Sequence, residues 1–128
     1  MKLAAGLKGE ARLVVGDADT ARALGSGAVE VLGTPRLVAL LEEATIDAVD
    51  RYLDDGSTTV SMRVQVDHLH PTPIGADVYA EAYLDKIDGR RITFTVTASD
   101  SGGLVAAGKV TRVVVDVKRF MSKCCKAG

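Results

Sequence analysis

The feature that most constrains the fold of this chain is one long helical pattern that precedes four strand patterns. The helical pattern runs from about Pro35 to Leu53, with apolar residues recurring every three or four positions. Thr34 suits the position that caps a helix N-terminus, and Pro35 suits the first helical turn. The segment DDGST, which begins at Asp54, ends the pattern. The chain therefore has a single helix around which the strands must be arranged.

Strand patterns account for most of the remaining chain. The four that follow the helix are TTVSMRVQVDHLH, ADVYAEAYLDKI, RRITFTVTASD and GLVAAGKVTRVVVDVKRF, and a short one at about Ala11 to Val15 precedes it. The turns DGR and SGG join successive strands closely, which predicts antiparallel pairing. One long helix against such strands is an α+β arrangement. It predicts the hotdog fold, in which a curved antiparallel sheet wraps around a long central helix.

The same patterns predict one domain over residues 1–128, with a frayed C-terminal tail from about residue 119. One helix cannot cover both faces of a five-stranded sheet and also protect its edges. Because exposed edge strands tend to pair with other chains, we expect a homodimer or larger homo-oligomer that continues the sheet.

Composition excludes several classes of function. The net charge of −1 gives no general reason to expect a nucleic-acid or anionic-membrane partner. Cys124 and Cys125 are adjacent and make no disulfide framework. The two histidines, His68 and His70, have no suitable further ligands and make a weak metal signal. The N-terminal segment has no long apolar run, so we expect no signal peptide, no membrane span and a cytoplasmic protein.

Helical geometry separates two adjacent glutamates. At about 100° per residue, Glu43 points into solvent, whereas Glu42 lies at the shoulder of the apolar stripe. Thr34 lies over the same stripe, a little over two turns earlier, so both side chains can face one cleft. The predicted stripe comprises Leu37, Val38, Leu41, Ala44, Thr45, Ala48, Val49 and Tyr52.

The strand that follows the helix ends in a histidine. Strict alternation places His68 on the face that packs on the helix and Ser61 on the opposite face. The inner row is then Val60, Met62, Val64, Val66 and His68. His68 and Glu42 are therefore expected to meet. Simpler interpretations remain open: a buried structural histidine, a half-solvated glutamate and a threonine that only caps the helix.

These residues resemble the fluoroacetyl-CoA-specific thioesterase-like hotdog proteins. The resemblance is carried by the spacing of Thr34, Glu42 and His68, by the segments HLHPTPIG and GRRITFTVTASD, and by Arg112 in KVTRVVV. It implies that Thr34, Glu42 and His68 act together in thioester hydrolysis, and that residues 61 and 112 contact the substrate. Ser61 stands where the family has Gly, and GSGAVEVLG lacks aromatic residues. We therefore expect an acyl-CoA thioesterase without a special preference for fluoroacetyl-CoA.

The residue types suit this chemistry independently of the resemblance. A thioester is hydrolysed by a nucleophile, a base that activates it and donors for the oxyanion. His68 is expected to be the base, Glu42 to orient it, and Thr34 to attack or to hold a water. No metal and no cofactor beyond the coenzyme A of the substrate is expected. A non-catalytic hotdog module that binds an acyl ligand is the alternative, and a hydratase or dehydratase is a weaker one.

Overall fold

The protein is described by a computed structural model over residues 2–125. In this range the strands form one antiparallel sheet in the order β1-β3-β4-β5-β2, and helix α1 packs against the sheet. The elements are β1 (Lys8–Val14), α1 (Thr34–Val49), β2 (Ser57–His68), β3 (Asp77–Asp88), β4 (Arg91–Asp100), β5 (Gly103–Asp116) and α2 (Val117–Cys125). The predicted α+β class, with one long helix and a curled antiparallel sheet, is confirmed.

The core lies between α1 and the inner face of the sheet. The helix buries Leu37, Leu40, Leu41, Ala44, Thr45, Ala48 and Val49. This is the predicted stripe with Leu40 added, while Val38 and Tyr52 are only half-buried. The closest approach is at Gly9 of β1, where an added Cβ would lie 2.1 Å from the Ala44 carbonyl oxygen. The absence of a side chain at Gly9 therefore allows the strand to cross directly over the helix backbone.

Strand β2 lies at one edge of the sheet and contains a β-bulge. Ser61 pairs with Arg112, but the next pair in the register joins Arg63 to Thr111, so Met62 is an extra residue. The bulge changes which residues face the helix. Buried Arg112 and its partner Ser61 share the inner face before the bulge, and half-buried Val66 contacts the core after it.

The strict alternation predicted for β2 is therefore wrong in its first half. Val60 and Met62 do not lie on the inner face, and Ser61 does. The second half, which contains Val66 and His68, keeps the predicted orientation. The inner positions are Thr59, Ser61, Val64, Val66 and His68.

The ends of several elements also differ from the sequence-based expectations. Gly33, not Thr34, is the N-cap of α1, and Thr34 is the first residue of the helix. A 3₁₀ turn at Asp50–Tyr52 follows α1, so the regular helix is shorter than predicted. Strand β1 begins at Lys8, three residues before the predicted start.

The C-terminal segment is helical where a frayed tail was predicted. Helix α2 covers most of that segment and leaves residues 126–128 outside the described part of the chain. The carboxylate of Asp116 accepts a hydrogen bond from the backbone N–H of Arg119, which satisfies a donor of the first turn. No residue of α2 is buried. No helix within residues 2–125 combines the length and the apolar character needed to cross a membrane.

Candidate active site

The start of α1 and the end of β2 bring Thr34 and His68 together. Thr34 Oγ1 lies 2.8 Å from His68 Nδ1, so the exposed hydroxyl and the half-buried imidazole are hydrogen-bonded. In the tautomer that carries its proton on Nε2, Nδ1 accepts this bond and Thr34 donates it. His68 Nε2 is shielded from solvent and has no hydrogen-bond partner among the described residues. The pair has the geometry of a hydroxyl and the base that can deprotonate it.

Burial also affects the protonation of His68. The loss of hydration lowers the pKa of His68, and the nearby backbone of His70 opposes this by a smaller amount. A lowered pKa keeps the imidazole neutral near pH 7. A neutral imidazole is the form that can accept a proton as a general base.

A second polar cluster surrounds Glu42. Ser61 donates its hydroxyl hydrogen to Glu42 Oε2. Arg112 Nη1 donates to Ser61 Oγ at 2.6 Å and approaches Glu42 Oε2 at 3.5 Å. On its other side, Arg112 donates to the hydroxyl of Thr59 from Nε at 2.9 Å and to the Thr59 carbonyl from Nη2 at 2.8 Å. The carboxylate is thus tied to the sheet through a serine and an arginine.

Arg112 itself is almost completely buried, with 4% of its surface exposed. Burial lowers the pKa of Arg112, and the nearby charge of Glu42 opposes the shift. An arginine remains protonated under these conditions because its normal pKa is so high. Both Arg112 and Ser61 bond to other side chains of the protein, and their contact with the substrate stays a prediction.

The predicted contact between Glu42 and His68 is not made within the described chain. Glu42 bonds to Ser61 and Arg112, and His68 bonds to Thr34. Thr34 and Glu42 are eight residues apart, which is about 12 Å along the helix axis. Because helical side chains lean toward the N-terminus, Glu42 leans toward Thr34 across the space between the two clusters.

A cavity of about 290 Å³ opens beside Thr34 and His68. Its walls are mostly apolar and contain no aromatic side chain. They comprise Ala21, Ser26, Val29, Val31, Leu32, Thr34, His68, Leu69, His70 and Pro71. The loop before α1, which contains the segment GSGAVEVLG, supplies much of this wall. An acyl group can therefore lie in the cavity with its carbonyl near the Thr34–His68 pair.

Glu43, Thr59 and the possible metal ligands remain to be compared with the sequence-based expectations. Glu43 is exposed, as predicted, and its carboxylate accepts a hydrogen bond from Arg36 at 2.9 Å. Thr59 was missed as part of the site, because strict alternation from His68 turns the face of Thr59 and Ser61 outward, and only the bulge at Met62 brings that face inward. Within residues 2–125 no group of three or more His, Cys, Asp or Glu side chains is placed to hold a metal ion.

The fold and the match to a known family define the class of protein, a hotdog-fold thioesterase. Residues 15–118 match the model of the fluoroacetyl-CoA-specific thioesterase family (FlK), and the chain belongs to this family. It is 32% identical over 94 residues to the fluoroacetyl-CoA thioesterase of Streptantibioticus cattleyicolor, a match that covers 73% of this chain and 68% of that protein. The activity of the family, hydrolysis of an acyl-CoA thioester, makes this chain a thioester hydrolase rather than a non-catalytic module.

Solved structures agree with this assignment. The fluoroacetyl-CoA thioesterase FlK superposes with a TM-score of 0.93 at 27% identity, over 100% of this chain and 99% of that one. A variant of that enzyme, solved in complex with acetyl-CoA, gives a TM-score of 0.92 at 27% identity over 98% of each chain. A Thermus thermophilus hypothetical protein described as a thioesterase superfamily member shares the fold, with a TM-score of 0.91 at 23% identity over 99% and 95% of the two chains. The predicted hotdog fold is therefore confirmed.

The lowered pKa of His68 leads to a prediction about pH. If neutral His68 is the base, activity is lost as the imidazole becomes protonated, and a lowered pKa moves this loss toward lower pH. We expect the acid limb of kcat/KM to have its midpoint below about 6.5, the ordinary value for histidine. Steady-state kinetics between pH 5 and 8, with circular dichroism at each pH, would measure it. A midpoint above about 7 in a folded protein would contradict the proposed burial effect.

Proposed function

We propose that the protein hydrolyses short acyl-CoA thioesters to the free acid and coenzyme A, with His68 as the general base. The observation that carries this proposal is the 2.8 Å hydrogen bond between His68 Nδ1 and Thr34 Oγ1 beside an apolar cavity. Membership of the thioesterase family supplies the reaction class. The chemistry requires only side chains, water and the coenzyme A that belongs to the substrate.

The first step is attack on the thioester carbonyl by the Thr34 hydroxyl or by a water that this hydroxyl holds. His68 accepts the proton as the new C–O bond forms, and the carbonyl oxygen becomes an oxyanion. The backbone N–H of Thr34, at the positive end of α1, is the candidate donor for this oxyanion. Arg36 and Leu37 already donate their N–H groups to the Gly33 carbonyl.

The C–S bond then breaks, and the coenzyme A thiolate takes the proton from His68. If Thr34 attacked, a water activated by His68 hydrolyses the resulting ester and regenerates the hydroxyl. If a water attacked, the acid is released directly. Mass spectrometry of the enzyme quenched during turnover distinguishes the two routes, because only the first adds an acyl mass to the protein.

Glu42 is proposed to act from the opposite side of the cleft. Its carboxylate stabilises the positive charge that develops on His68, through a water or the bound substrate rather than by direct contact. An electrostatic effect of this kind acts at a distance, and it is larger near partly buried groups than in bulk water. Ser61 and Arg112 hold this carboxylate on the core side of the helix.

Substitutions at His68 and Glu42 test this arrangement. We expect His68→Ala to lower kcat by at least about a hundredfold, the usual contribution of a general base. Glu42→Gln should also lower kcat strongly, because an amide cannot stabilise an imidazolium as a carboxylate does. The double variant should be scarcely worse than His68→Ala alone, since groups that act together are non-additive. The measurement is steady-state kinetics on the best acyl-CoA substrate.

Glu43→Gln is the matched control, one residue further along the same helix. It removes only an exposed ion pair with Arg36 and should leave kcat within about twofold. Equal damage from Glu42→Gln and Glu43→Gln would contradict the assignment of helix faces. A folded His68→Ala variant that keeps most of its activity would remove the basis of the proposed mechanism.

The cavity wall suggests which acyl groups are accepted. No aromatic side chain lines it, and Val29, Val31 and Leu69 offer only general apolar contacts. We expect the preference for fluoroacetyl-CoA over acetyl-CoA to be less than a hundredfold, which corresponds to about 2.7 kcal/mol in transition-state binding. A panel of acyl-CoAs assayed with a thiol-detecting reagent measures it. A hundredfold or larger preference would refute the expectation, and no thiol release from any acyl-CoA would refute the proposed reaction.

We also propose a homodimer that forms through the edge of β2. This twelve-residue strand has no neighbour on its outer side among the described residues. Met62 is 48% exposed and Val64 38% exposed, so a second copy would also cover apolar surface. Light scattering at micromolar concentration should give at least twice the 13.4 kDa chain mass. A mass of one chain only would contradict the dimer.

A further inference from the structure

We propose that Ser61 is a positioning residue, which holds the carboxylate of Glu42 in place by linking it to the buried Arg112. This inference rests on the proposed role of Glu42 in the reaction, and it assigns Ser61 a function other than substrate contact. Ser61 would then affect the rate through Glu42, without touching the acyl-CoA.

The first support is the direction of the hydrogen bonds. Arg112 Nη1 donates to Ser61 Oγ at 2.6 Å, and Ser61 in turn donates to Glu42 Oε2. The hydroxyl therefore accepts from a cation and donates to an anion, which is the arrangement that strengthens both bonds. The direct approach of Arg112 to Glu42 is 3.5 Å, longer than the roughly 2.7–2.9 Å of a strong ionic hydrogen bond. The serine is thus the shorter connection between the two charges.

The second support is the rigidity of the anchor. Arg112 is 4% exposed, and Nε and Nη2 of its guanidinium are bonded to the hydroxyl and carbonyl of Thr59. Two hydrogen bonds to Thr59 hold one edge of the planar guanidinium and restrict its rotation, so Nη1 on the other edge presents its donors in a fixed direction. Ser61 Oγ is held by this fixed donor, and the position of Glu42 Oε2 follows from it.

The third support is that the Glu42 side chain would be free to rotate without a bond that holds its carboxylate. The Glu42 side chain is 31% exposed, and a glutamate has several rotatable bonds that solvent would leave free. A carboxylate must be held in one place before the reaction to stabilise charge that develops in the transition state. A single hydroxyl on the inner face of β2 supplies the bond that restricts it.

The bulge at Met62 makes this contact possible. After the bulge, the strand presents Val66 and His68 to the helix, and strict alternation from these residues would turn Ser61 outward. The extra residue reverses the parity, so that Ser61 and His68 both face α1. Both halves of β2 therefore present polar side chains toward α1.

The test compares Ser61→Ala, which removes the hydroxyl, with Ser61→Thr, which keeps it. We expect Ser61→Ala to lower kcat about tenfold or more while KM stays within about twofold, in line with the loss of a hydrogen bond to a charged group. Ser61→Thr should keep most of the wild-type kcat, because threonine retains the hydroxyl and a β-branched residue is well suited to a strand. Ser99→Ala is the control, because Ser99 is also half-buried in a strand but bonds to no side chain of the site.

A second arm separates positioning from substrate contact. In a Glu42→Gln background, Ser61→Ala should cause little further loss of kcat, because the group that it positions has already been replaced. A rise in KM of tenfold or more with kcat unchanged would instead assign Ser61 to substrate binding and overturn the inference. Circular dichroism checks folding, and Ser61→Gly serves as the second hydroxyl-free variant if Ser61→Ala does not fold.

The outcomes also separate this inference from the proposed function. If Glu42→Gln keeps wild-type kcat, the proposed role of Glu42 is wrong and the positioning role falls with it. If Glu42→Gln is severely impaired but both hydroxyl-free variants match the wild type, only the role of Ser61 is wrong. Loss of rate in Ser61→Thr equal to that in Ser61→Ala would also overturn the inference, because the hydroxyl would then be irrelevant.

Discussion

The close contact between α1 and β1 determines where every polar group of the site lies. At Gly9 the strand crosses the helix with no room for a side chain, so the helix backbone is held at a fixed depth within the sheet. At this position of the helix, side chains on its buried stripe pack in the core. Side chains beside the stripe contact the inner face of β2. Thr34 and Glu42 occupy such positions two turns apart. The site is therefore a consequence of how deeply the helix is inserted.

The electrostatic arrangement follows from the same burial. A guanidinium as deeply buried as that of Arg112 is destabilising unless its donors are satisfied, and Thr59, Ser61 and Glu42 satisfy them. The opposite solution applies at His68, where burial favours the neutral form and no counter-charge lies in contact. The Arg112 cluster thus holds a compensated ion pair, whereas His68 has no charged partner in contact.

Much of this architecture follows from sequence periodicity. The helix, the strand order along the chain and the opposite fates of Glu42 and Glu43 depend on local spacing, and the structure has them as predicted. The partners of Glu42 and the cap of α1 were not predictable in this way. Both depend on tertiary contacts: the Thr34 hydroxyl bonds to His68 instead of capping the helix, and a single extra residue in β2 brings Ser61 inward. The helix α2 was missed because it follows β5 directly, with no Gly or Pro to mark the end of the strand.

The bulge at Met62 has a consequence for how this strand tolerates change in length. Before the bulge the odd-numbered residues of β2 face the core, and after it the even-numbered residues do. Deleting one residue there would leave the sequence almost unchanged but would exchange core for solvent along half of β2. Substitutions at Met62 itself, whose side chain is 48% exposed, carry no such penalty. The number of residues in β2 is therefore constrained by the packing of its second half, independently of the side chain at Met62.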